Sequence, residues 1–234
     1  MKVVAAWSGG KDSCFAYYKA AKQGLDVVSL LTFMESEKAS NFHAIRADLL
    51  DAQAKSIGVP LIKQVTHPKT YEKEFKAALL GFKAKGVQGL VTGDIYEVAG
   101  HEERWLERVC SEVGLEPIRP LWQGDTKELF EEFVAAGFKA TVVRTRLDVL
   151  GESWLGRELD AAFLKDILKL KSVDPCGEGG EYHTVVTDGP VFRESIKLLE
   201  TTKSSAGGYG HLEIGRFEVV PKNFGNRSRH VAPN

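Results

Sequence analysis

The sequence has few cysteines and no long apolar run, and both features restrict the class of protein. Only three cysteines occur among 234 residues, and they are widely spaced and form no C-x-x-C pair. An odd number of isolated cysteines is typical of reduced thiols, so we expect a cytoplasmic protein. No apolar stretch approaches the roughly 18 residues that a membrane-spanning helix needs, which predicts that no membrane is involved.

Positively and negatively charged residues are nearly equal in number. Lys and Arg number 31 and Asp and Glu number 32, which gives a formal net charge of -1. Proteins that follow a nucleic-acid backbone are usually much more basic, so nucleic acid is not expected as the main partner. With 234 residues, of which 43% are hydrophobic, the chain can bury a sizeable core.

Two common phosphate motifs are missing, but a third kind of phosphate loop is present. The chain has no Walker A string and no G-x-G-x-x-G after its first apolar run. Residues 8–13 instead read Ser-Gly-Gly-Lys-Asp-Ser, between an expected strand at 3–7 and an amphipathic helix expected to begin near Asp12 or Ser13. Adjacent glycines let successive N–H groups converge on an anion, and the helix N-terminus and Lys11 add positive charge. A glycine turn with a helix cap is the alternative interpretation.

Short apolar runs follow helical segments at regular intervals. Each run begins just after a helix-terminating glycine, at Gly24, Gly58, Gly86, Gly114 and Gly137. Five helix-to-strand returns after a first strand predict an α/β fold with a doubly wound parallel sheet.

The last third of the chain has a different character. It is rich in glycine, and apolar alternation predicts strands at 184–187, 195–202 and 211–220, which is typical of a smaller α+β domain with antiparallel strands. Asp125 and Glu128 resemble a capped helix start. We therefore expect a phosphate-loop domain at 1–124, a C-terminal domain at 125–222, and a mobile tail at 223–234.

A second cluster of polar residues lies at 174–184, with the sequence Asp-Pro-Cys-Gly-Glu-Gly-Gly-Glu-Tyr-His-Thr. Glu178 and Glu181 flank two glycines, which would let the backbone bring both carboxylates toward one cation, ammonium group or metal. A turn with solvated acids is the alternative interpretation.

Residues 8–13 resemble the pyrophosphate loop of the N-type ATP pyrophosphatases, whose pattern is Ser-Gly-Gly-x-Asp-Ser. Together with Gly93-Asp94-Ile95 and the box at 177–184, they resemble the diphthine-ammonia ligase family, as do residues 120–122 and 154–157. The resemblance covers about residues 1–195 and implies an adenine nucleotide alpha hydrolase-like sheet with ATP and Mg²⁺ as cofactors. The residues it implies for cofactor binding are Ser8, Gly9, Gly10, Lys11, Asp12, Ser13, Gly93 and Asp94.

The resemblance also implies a reaction. A carboxylate, that of diphthine on elongation factor 2, would be adenylated and passed to ammonia, with release of AMP and pyrophosphate. The implied catalytic residues are Lys11, Asp12, Glu178 and Glu181, with Asp12 as the Mg²⁺ ligand. The implied substrate-binding residues are Glu178, Glu181, Tyr182, His183 and Thr184, where acids and the Tyr182 ring would face the trimethylammonium group.

Some alternatives stay open at this point. His183 also occurs in a branch suspected of amidating corrinoids, whereas Gly179 favours the ligase branch. The rival hypotheses are a related ATP pyrophosphatase that amidates a small molecule such as a corrinoid, and a nucleotide-binding sensor without catalysis. A homo-oligomer is compatible with the sequence.

Several expectations concern single side chains. Lys11 is expected to be an exposed loop lysine with little weight in stability. Glu178 and Glu181 are expected to raise the pKa of the Cys176 thiol. Arg144 and Arg146 suit a surface ion pair or a grip on a carboxylate or phosphate. Helical spacing predicts core positions for Trp105, Leu106 and Val109.

Overall fold

The computed structural model describes residues 1–36, 39–40, 45–97 and 102–222, so the predicted tail at 223–234 lies outside the described residues. The strands are β1 Lys2–Ala6, β2 Asp26–Ser36, β3 Ala39–Ser40, β4 Leu61–Val65, β5 Gly89–Val91, β6 Glu116–Ile118, β7 Lys139–Arg146, β8 Tyr182–Asp188, β9 Glu194–Ala206 and β10 Tyr209–Pro221. The helices are α1 Lys11–Lys22, α2 Ala47–Ile57, α3 Tyr71–Lys83, α4 Trp105–Val113, α5 Thr126–Ala135 and α6 Ala161–Ile167. A 3₁₀ turn spans Glu152–Trp154.

A parallel sheet forms the N-terminal half, in the order β4-β2-β1-β5-β6, and β3 pairs antiparallel with the end of β2. The chain leaves β1 toward β2 on one side, and later crosses to β5 on the other side. The carboxyl ends of β1 and β5 therefore border the switch point of the sheet, where open α/β sheets bind their ligands.

Helices cover both faces of this sheet, as side-chain alternation along β1 requires. Val3 and Ala5 pack with α1 and α2, whereas Val4 packs in a second cluster with α3 and α4. Glycines in the left-handed conformation follow α2 and α4, at Gly58 and Gly114. The predicted α/β fold with a doubly wound parallel sheet is confirmed.

The prediction that the run after Gly137 extends the parallel sheet is wrong. That run is β7, which pairs antiparallel with β8 and β10 in a separate sheet of order β8-β7-β10-β9. Local sequence indicates that a strand follows a helix. Which strands it pairs with depends on segments more than 30 residues away. The predicted C-terminal strands are present, and each is longer than expected.

The two sheets share one hydrophobic cluster. Phe15 of α1 meets Phe133 of α5 at 5.8 Å and Phe138 at 6.1 Å between ring centroids. The same cluster extends to Phe163 of α6 and Val186 of β8, both fully buried. Asp125 caps α5 by accepting a hydrogen bond from the Glu128 N–H at 2.9 Å. In the part of the chain that the structure describes, no helix combines the length and apolar character needed to cross a membrane.

Candidate active site

A cavity of about 390 Å³ opens at the carboxyl ends of β1, β2 and β5. Its walls come from the phosphate loop, the ends of these strands, helices α3 and α4, and the segment 176–184. The two motifs found in the sequence, more than 160 residues apart, therefore face one space.

The phosphate loop connects β1 to α1 through a strained turn. Gly9 has a φ of +80°, and a Cβ at this position would lie 2.6 Å from Leu50 and 2.8 Å from Gln53, so only glycine fits. Gly10 is the N-cap of α1 and no side chain caps the helix. The Ser8 and Ser13 hydroxyls lie 3.1 Å apart. The amino end of α1 and these hydroxyls form a site suited to phosphate oxygens.

Lys11 lies inside the cavity wall. The expectation of an exposed lysine is wrong, because its exposed fraction is 6% and its ammonium contacts both Asp12 carboxylate oxygens, at 2.7 and 2.8 Å. Burial by itself lowers the pKa of Lys11. The neighbouring acidic groups, Asp12 foremost, raise the pKa by more than burial lowers it, so the pKa lies well above its ordinary value. Lys11 is a fixed positive charge on the cavity wall beside the loop at 8–13.

Gly93 and Asp94 follow β5 and line the same cavity. A Cβ on Gly93 would lie 2.6 Å from the Asp12 carbonyl carbon, so glycine permits β5 to approach the first turn of α1. Burial raises the pKa of Asp94, and the Asp12 and Glu97 carboxylates add to this, whereas Thr92 and Arg119 oppose it. The negative charge of Asp12 thus reaches Asp94, and both carboxylates line the cavity.

Glu178 lines the cavity and is exposed to it. Loss of solvent in the recess raises its pKa from 4.5 to about 7, and the Asp12 carboxylate is the next cause, partly opposed by Lys11. A carboxylate with this pKa exchanges protons near neutral pH, as a general base must.

Asp174 fixes the loop that carries Glu178. Its Oδ1 accepts from the Cys176 N–H at 2.7 Å and the Glu178 N–H at 3.4 Å, and its Oδ2 accepts from the Thr126 hydroxyl at 2.8 Å. Arg146 donates to the Gly179 carbonyl at 2.8 Å and pairs with Asp148 at 2.9 Å. The sequence could not indicate that Asp174 and Thr126 act together, because 48 residues separate them.

Glu181 does not line the cavity. It is 4% exposed and lies behind the loop, where its Oε1 accepts from the Asp174 N–H at 3.2 Å. A Cβ on Gly179 would lie 2.5 Å from this oxygen, so glycine at position 179 makes room for the carboxylate. The structure therefore separates the two glutamates, one facing the cavity and one supporting the loop.

Tyr182, His183 and Thr184 line the cavity from the start of β8. The Tyr182 hydroxyl donates to the Pro175 carbonyl at 2.5 Å, and the Lys11 ammonium lies 5.7 Å from its ring centroid, so a cation of the protein already faces this ring. Burial, with Arg144 and Lys11, lowers the pKa of His183 to about 4, which keeps its ring neutral at pH 7. The Thr184 hydroxyl accepts from the Lys11 N–H at 3.1 Å.

Cys176 is buried at the cavity wall and its thiol donates to the Thr126 carbonyl at 3.1 Å. Burial raises the pKa of the thiol to about 12. The expected direction is present, but burial is the largest cause, whereas the sequence pointed to the neighbouring glutamates. Little thiolate is present near neutral pH.

An aromatic wall lines part of the cavity. Phe33, Tyr71, Phe75 and Trp105 form it, with centroid distances of 5.1 Å between Phe33 and Phe75 and 5.2 Å between Phe75 and Trp105. Trp105, Leu106 and Val109 are buried in the core, as expected, but Trp105 and Leu106 also border the cavity. No local sequence pattern indicates this wall, because its members come from three elements.

The fold and the site together define an α/β protein with a glycine-rich strand-to-helix loop at the switch point of a parallel sheet. The chain belongs to the diphthamide synthase family. Residues 1–117 match the family model of the diphthamide synthase N-terminal domain, and residues 125–220 match that of the C-terminal domain. The predicted family is confirmed.

Curated relatives agree with this family. The chain is 25% identical to a Bos taurus protein described as diphthine–ammonia ligase, over 93% of this chain and 91% of the relative. A Schizosaccharomyces pombe protein of the same description is 28% identical over 92% of this chain, which spans 39% of that longer protein. A solved structure described as a predicted subunit of a tRNA methyltransferase from Methanocaldococcus jannaschii shares 21% identity over 60% of this chain, with a TM-score of 0.43.

Proposed function

We propose that this protein is a diphthine–ammonia ligase that uses ATP to amidate diphthine on elongation factor 2. The observation that supports this most strongly is the meeting of the phosphate loop and the Glu178 loop in one cavity, in a chain that belongs to the diphthamide synthase family. In this reaction the diphthine carboxylate attacks the α-phosphorus of ATP and pyrophosphate leaves. Ammonia then attacks the acyl adenylate, AMP leaves, and one proton is released.

The phosphate end of the cavity binds the leaving pyrophosphate in this proposal. The N–H groups at the start of α1, the Ser8 and Ser13 hydroxyls and the Lys11 ammonium all converge there. Negative charge develops on the leaving group, and these fixed donors stabilise it without rearrangement.

Mg²⁺ fits the same end. Among the described residues no group of three His, Cys, Asp or Glu side chains could hold a metal by itself. Mg²⁺ usually takes only one or two protein carboxylates together with the phosphates of its nucleotide, and Asp12 and Asp94 both line the cavity. Bound there, the ion would neutralise phosphate charge.

The aromatic wall suits the adenine base. Phe33, Tyr71 and Phe75 present ring surface to the cavity. Stacking and apolar burial of a base favour this wall.

The acceptor enters from the side of Glu178 in this proposal. We place the trimethylammonium group of diphthine beside Glu178 and Tyr96, because Tyr96 lines the cavity and is 50% exposed, whereas the Tyr182 ring faces Lys11. His183 and Thr184 border the same space. Glu178 accepts the proton that ammonia loses on forming the amide, since its raised pKa of about 7 matches that task.

Glu181 acts through the loop in this proposal. Its contact with the Asp174 N–H holds the segment that carries Glu178. Gln at position 181 retains an oxygen acceptor for this bond, whereas Ala does not. We expect Glu181→Gln to amidate at a rate near that of the wild type and Glu181→Ala to lose activity, while Glu178→Gln loses amidation with ATP affinity nearly intact.

Product analysis tests the reaction. Purified protein, ATP, ammonium chloride and diphthine-bearing elongation factor 2 should give AMP and pyrophosphate in equal amounts, and a mass change on the factor that corresponds to one amide. ADP and phosphate as substrate-dependent products would contradict the proposal, as would turnover that requires a corrinoid. Elongation factor 2 from cells that lack this chain should retain diphthine.

The nitrogen source is a separate question. A glutaminase needs an activated nucleophile, and the buried Cys176 thiol, with its pKa raised to about 12, does not supply one. We expect ammonium-dependent product from both the wild type and Cys176→Ser. Product from glutamine alone that disappears in Cys176→Ser would contradict this expectation.

A further inference from the structure

Gln53 connects three separate segments from the interior of the protein. It lies in α2 and has no exposed surface. Its Nε2 donates to the Gly9 carbonyl at 2.9 Å and to the Val186 carbonyl at 2.7 Å, and its Oε1 accepts from the Trp7 indole N–H at 3.0 Å. One side chain thus contacts the end of β1, the phosphate loop and β8.

The chemistry of these partners fixes the orientation of the amide. An indole N–H only donates and a backbone carbonyl only accepts, so the oxygen of Gln53 must face Trp7 and its nitrogen must face the two carbonyls. A side chain at this position must offer two donors and one acceptor without charge. Gln meets this need, and Asn is one methylene shorter.

The bond to Gly9 determines where the next N–H points. The Gly9 carbonyl accepts from both Gln53 and the Val186 N–H, each at 2.9 Å, and therefore points into the protein. No cis peptide occurs among the described residues. In a planar trans peptide the N–H of Gly10 points opposite to the Gly9 carbonyl. It does so here, toward the Ser8 hydroxyl at 3.3 Å, and Ser8 lines the cavity.

We infer that Gln53 is a positioning residue that holds the Gly9–Gly10 peptide with its N–H directed at the pyrophosphate of ATP. The inference rests on the proposed function, because it takes the loop to be the pyrophosphate site. The Gly10 N–H makes only a long hydrogen bond to the Ser8 hydroxyl, at 3.3 Å. When pyrophosphate binds, one of its oxygens accepts from this N–H in place of the hydroxyl. Without Gln53, the Gly9 carbonyl keeps the hydrogen bond from the Val186 N–H. The peptide of a glycine pair then rotates more readily, and the N–H is directed at the site for a smaller fraction of the time.

The test uses inorganic pyrophosphate as a probe of the phosphate loop and adenosine as a probe of the aromatic wall. Gln53→Met keeps most of the side-chain volume and removes the polar atoms. We expect the Kd for pyrophosphate to rise about tenfold, the loss of one hydrogen bond to an anion, and the KM for ATP to rise with it. The Kd for adenosine should stay within about twofold of the wild type. Calorimetric titration on the full chain measures both Kd values.

A matched control separates positioning from loss of stability. Ile167 is fully buried in α6 and lies outside the cavity, so Ile167→Ala lowers stability without touching the loop. We expect its pyrophosphate affinity to be unchanged. An equal loss of pyrophosphate affinity in Ile167→Ala, or an equal loss of adenosine affinity in Gln53→Met, would overturn the inference.

A second variant serves if Gln53→Met does not fold. Gln53→Glu can donate one hydrogen bond when protonated and none when ionised. The ratio of its pyrophosphate Kd to that of the wild type should therefore be larger at about pH 8 than at about pH 5.5. A ratio independent of pH would overturn the inference. If the wild type itself does not bind pyrophosphate, the proposed function fails instead.

Discussion

Lys11 shows how a single residue can differ from the expectation that its motif creates. A glycine-rich loop suggests an exposed lysine, but Asp12 and the Tyr182 ring enclose this one. Burial makes the ammonium a fixed charge, which is the property that transition-state stabilisation needs.

Lys11→Met should lower turnover at least about 100-fold, because it keeps the stem of the side chain and removes the charge that faces the leaving group. Lys19→Met is the control, since Lys19 in the same helix pairs with Glu132 at 2.5 Å on the surface, and its turnover should be unchanged. Steady-state release of AMP measures both. Wild-type turnover in Lys11→Met would contradict the assignment.

Glu178 should impose a pH dependence on activity. Burial and Asp12 raise its pKa to about 7, and the ionised form is the base. At a constant concentration of free ammonia, the amidation rate should therefore increase from about pH 6 to about pH 8, and this increase should be missing from the residual rate of Glu178→Gln. An unchanged pH profile in the variant would contradict the role.

The Glu178 carboxylate should also make the stability of the protein depend on pH, and stability should fall as the pH rises. Because its pKa is raised in the folded state, the contribution of Glu178 to the free energy of unfolding is present below its ordinary pKa of 4.5 and is lost as the pH rises through about 7. Glu178→Gln does not titrate, so it should gain stability relative to the wild type between these pH values. Urea unfolding at about pH 4.5 and about pH 8 measures the difference.

At the scale of elements, glycines decide how closely the parts of the site approach. Gly93 lets the end of β5 contact the first turn of α1, and its methyl replacement would lie 2.6 Å from backbone. Gly81, in the interior of α3, has no atom within 4 Å of such a methyl group and no positive φ.

Replacing each of these two glycines with alanine should change the free energy of unfolding in opposite directions. Gly93→Ala should lower the free energy of unfolding by about 1–3 kcal/mol through overpacking and should weaken pyrophosphate binding. Gly81→Ala should raise it by about 0.5–1 kcal/mol, because alanine loses less backbone entropy in a helix. Denaturant unfolding checks both, and a stabilising Gly93→Ala would contradict the close approach described.

At the scale of the whole molecule, the two sheets depend on each other. The Val186 N–H of β8 donates to Gly9, and the Thr184 hydroxyl accepts from Lys11, so the C-terminal sheet supports the N-terminal loop. The cluster that contains Phe15, Phe133 and Phe163 crosses the boundary that we propose near residue 125.

We therefore expect one cooperative unfolding transition. Leu79→Ala in α3 and Ile167→Ala in α6 each remove a fully buried side chain, one in each half. Both should shift the same transition by about 2–5 kcal/mol without changing the denaturant m-value. Two separated transitions, one shifted by each variant, would show that the halves unfold independently.

The sequence determined those features that depend on local physics. Glycine after each of the helices α1 to α5, apolar runs of strand length and the helix cap at Asp125 are short-range signals, so the α/β class and the C-terminal strands could be predicted. The glycine loop between β1 and α1 could be predicted for the same reason, because two glycines, a lysine and a helix start lie within six residues.

The tertiary structure decided everything that depends on distant segments meeting. It put β7 in the antiparallel sheet, buried Lys11, turned Glu178 into the cavity and Glu181 away from it, and brought Gln53 to Gly9. The sequence signal for Gln53 was only a polar residue within an apolar helical stripe of Leu49, Leu50 and Ala54. Its partners are 44 and 133 residues away, and hydrogen-bond partners at such separations are chosen by packing of the whole core, which local propensity does not encode.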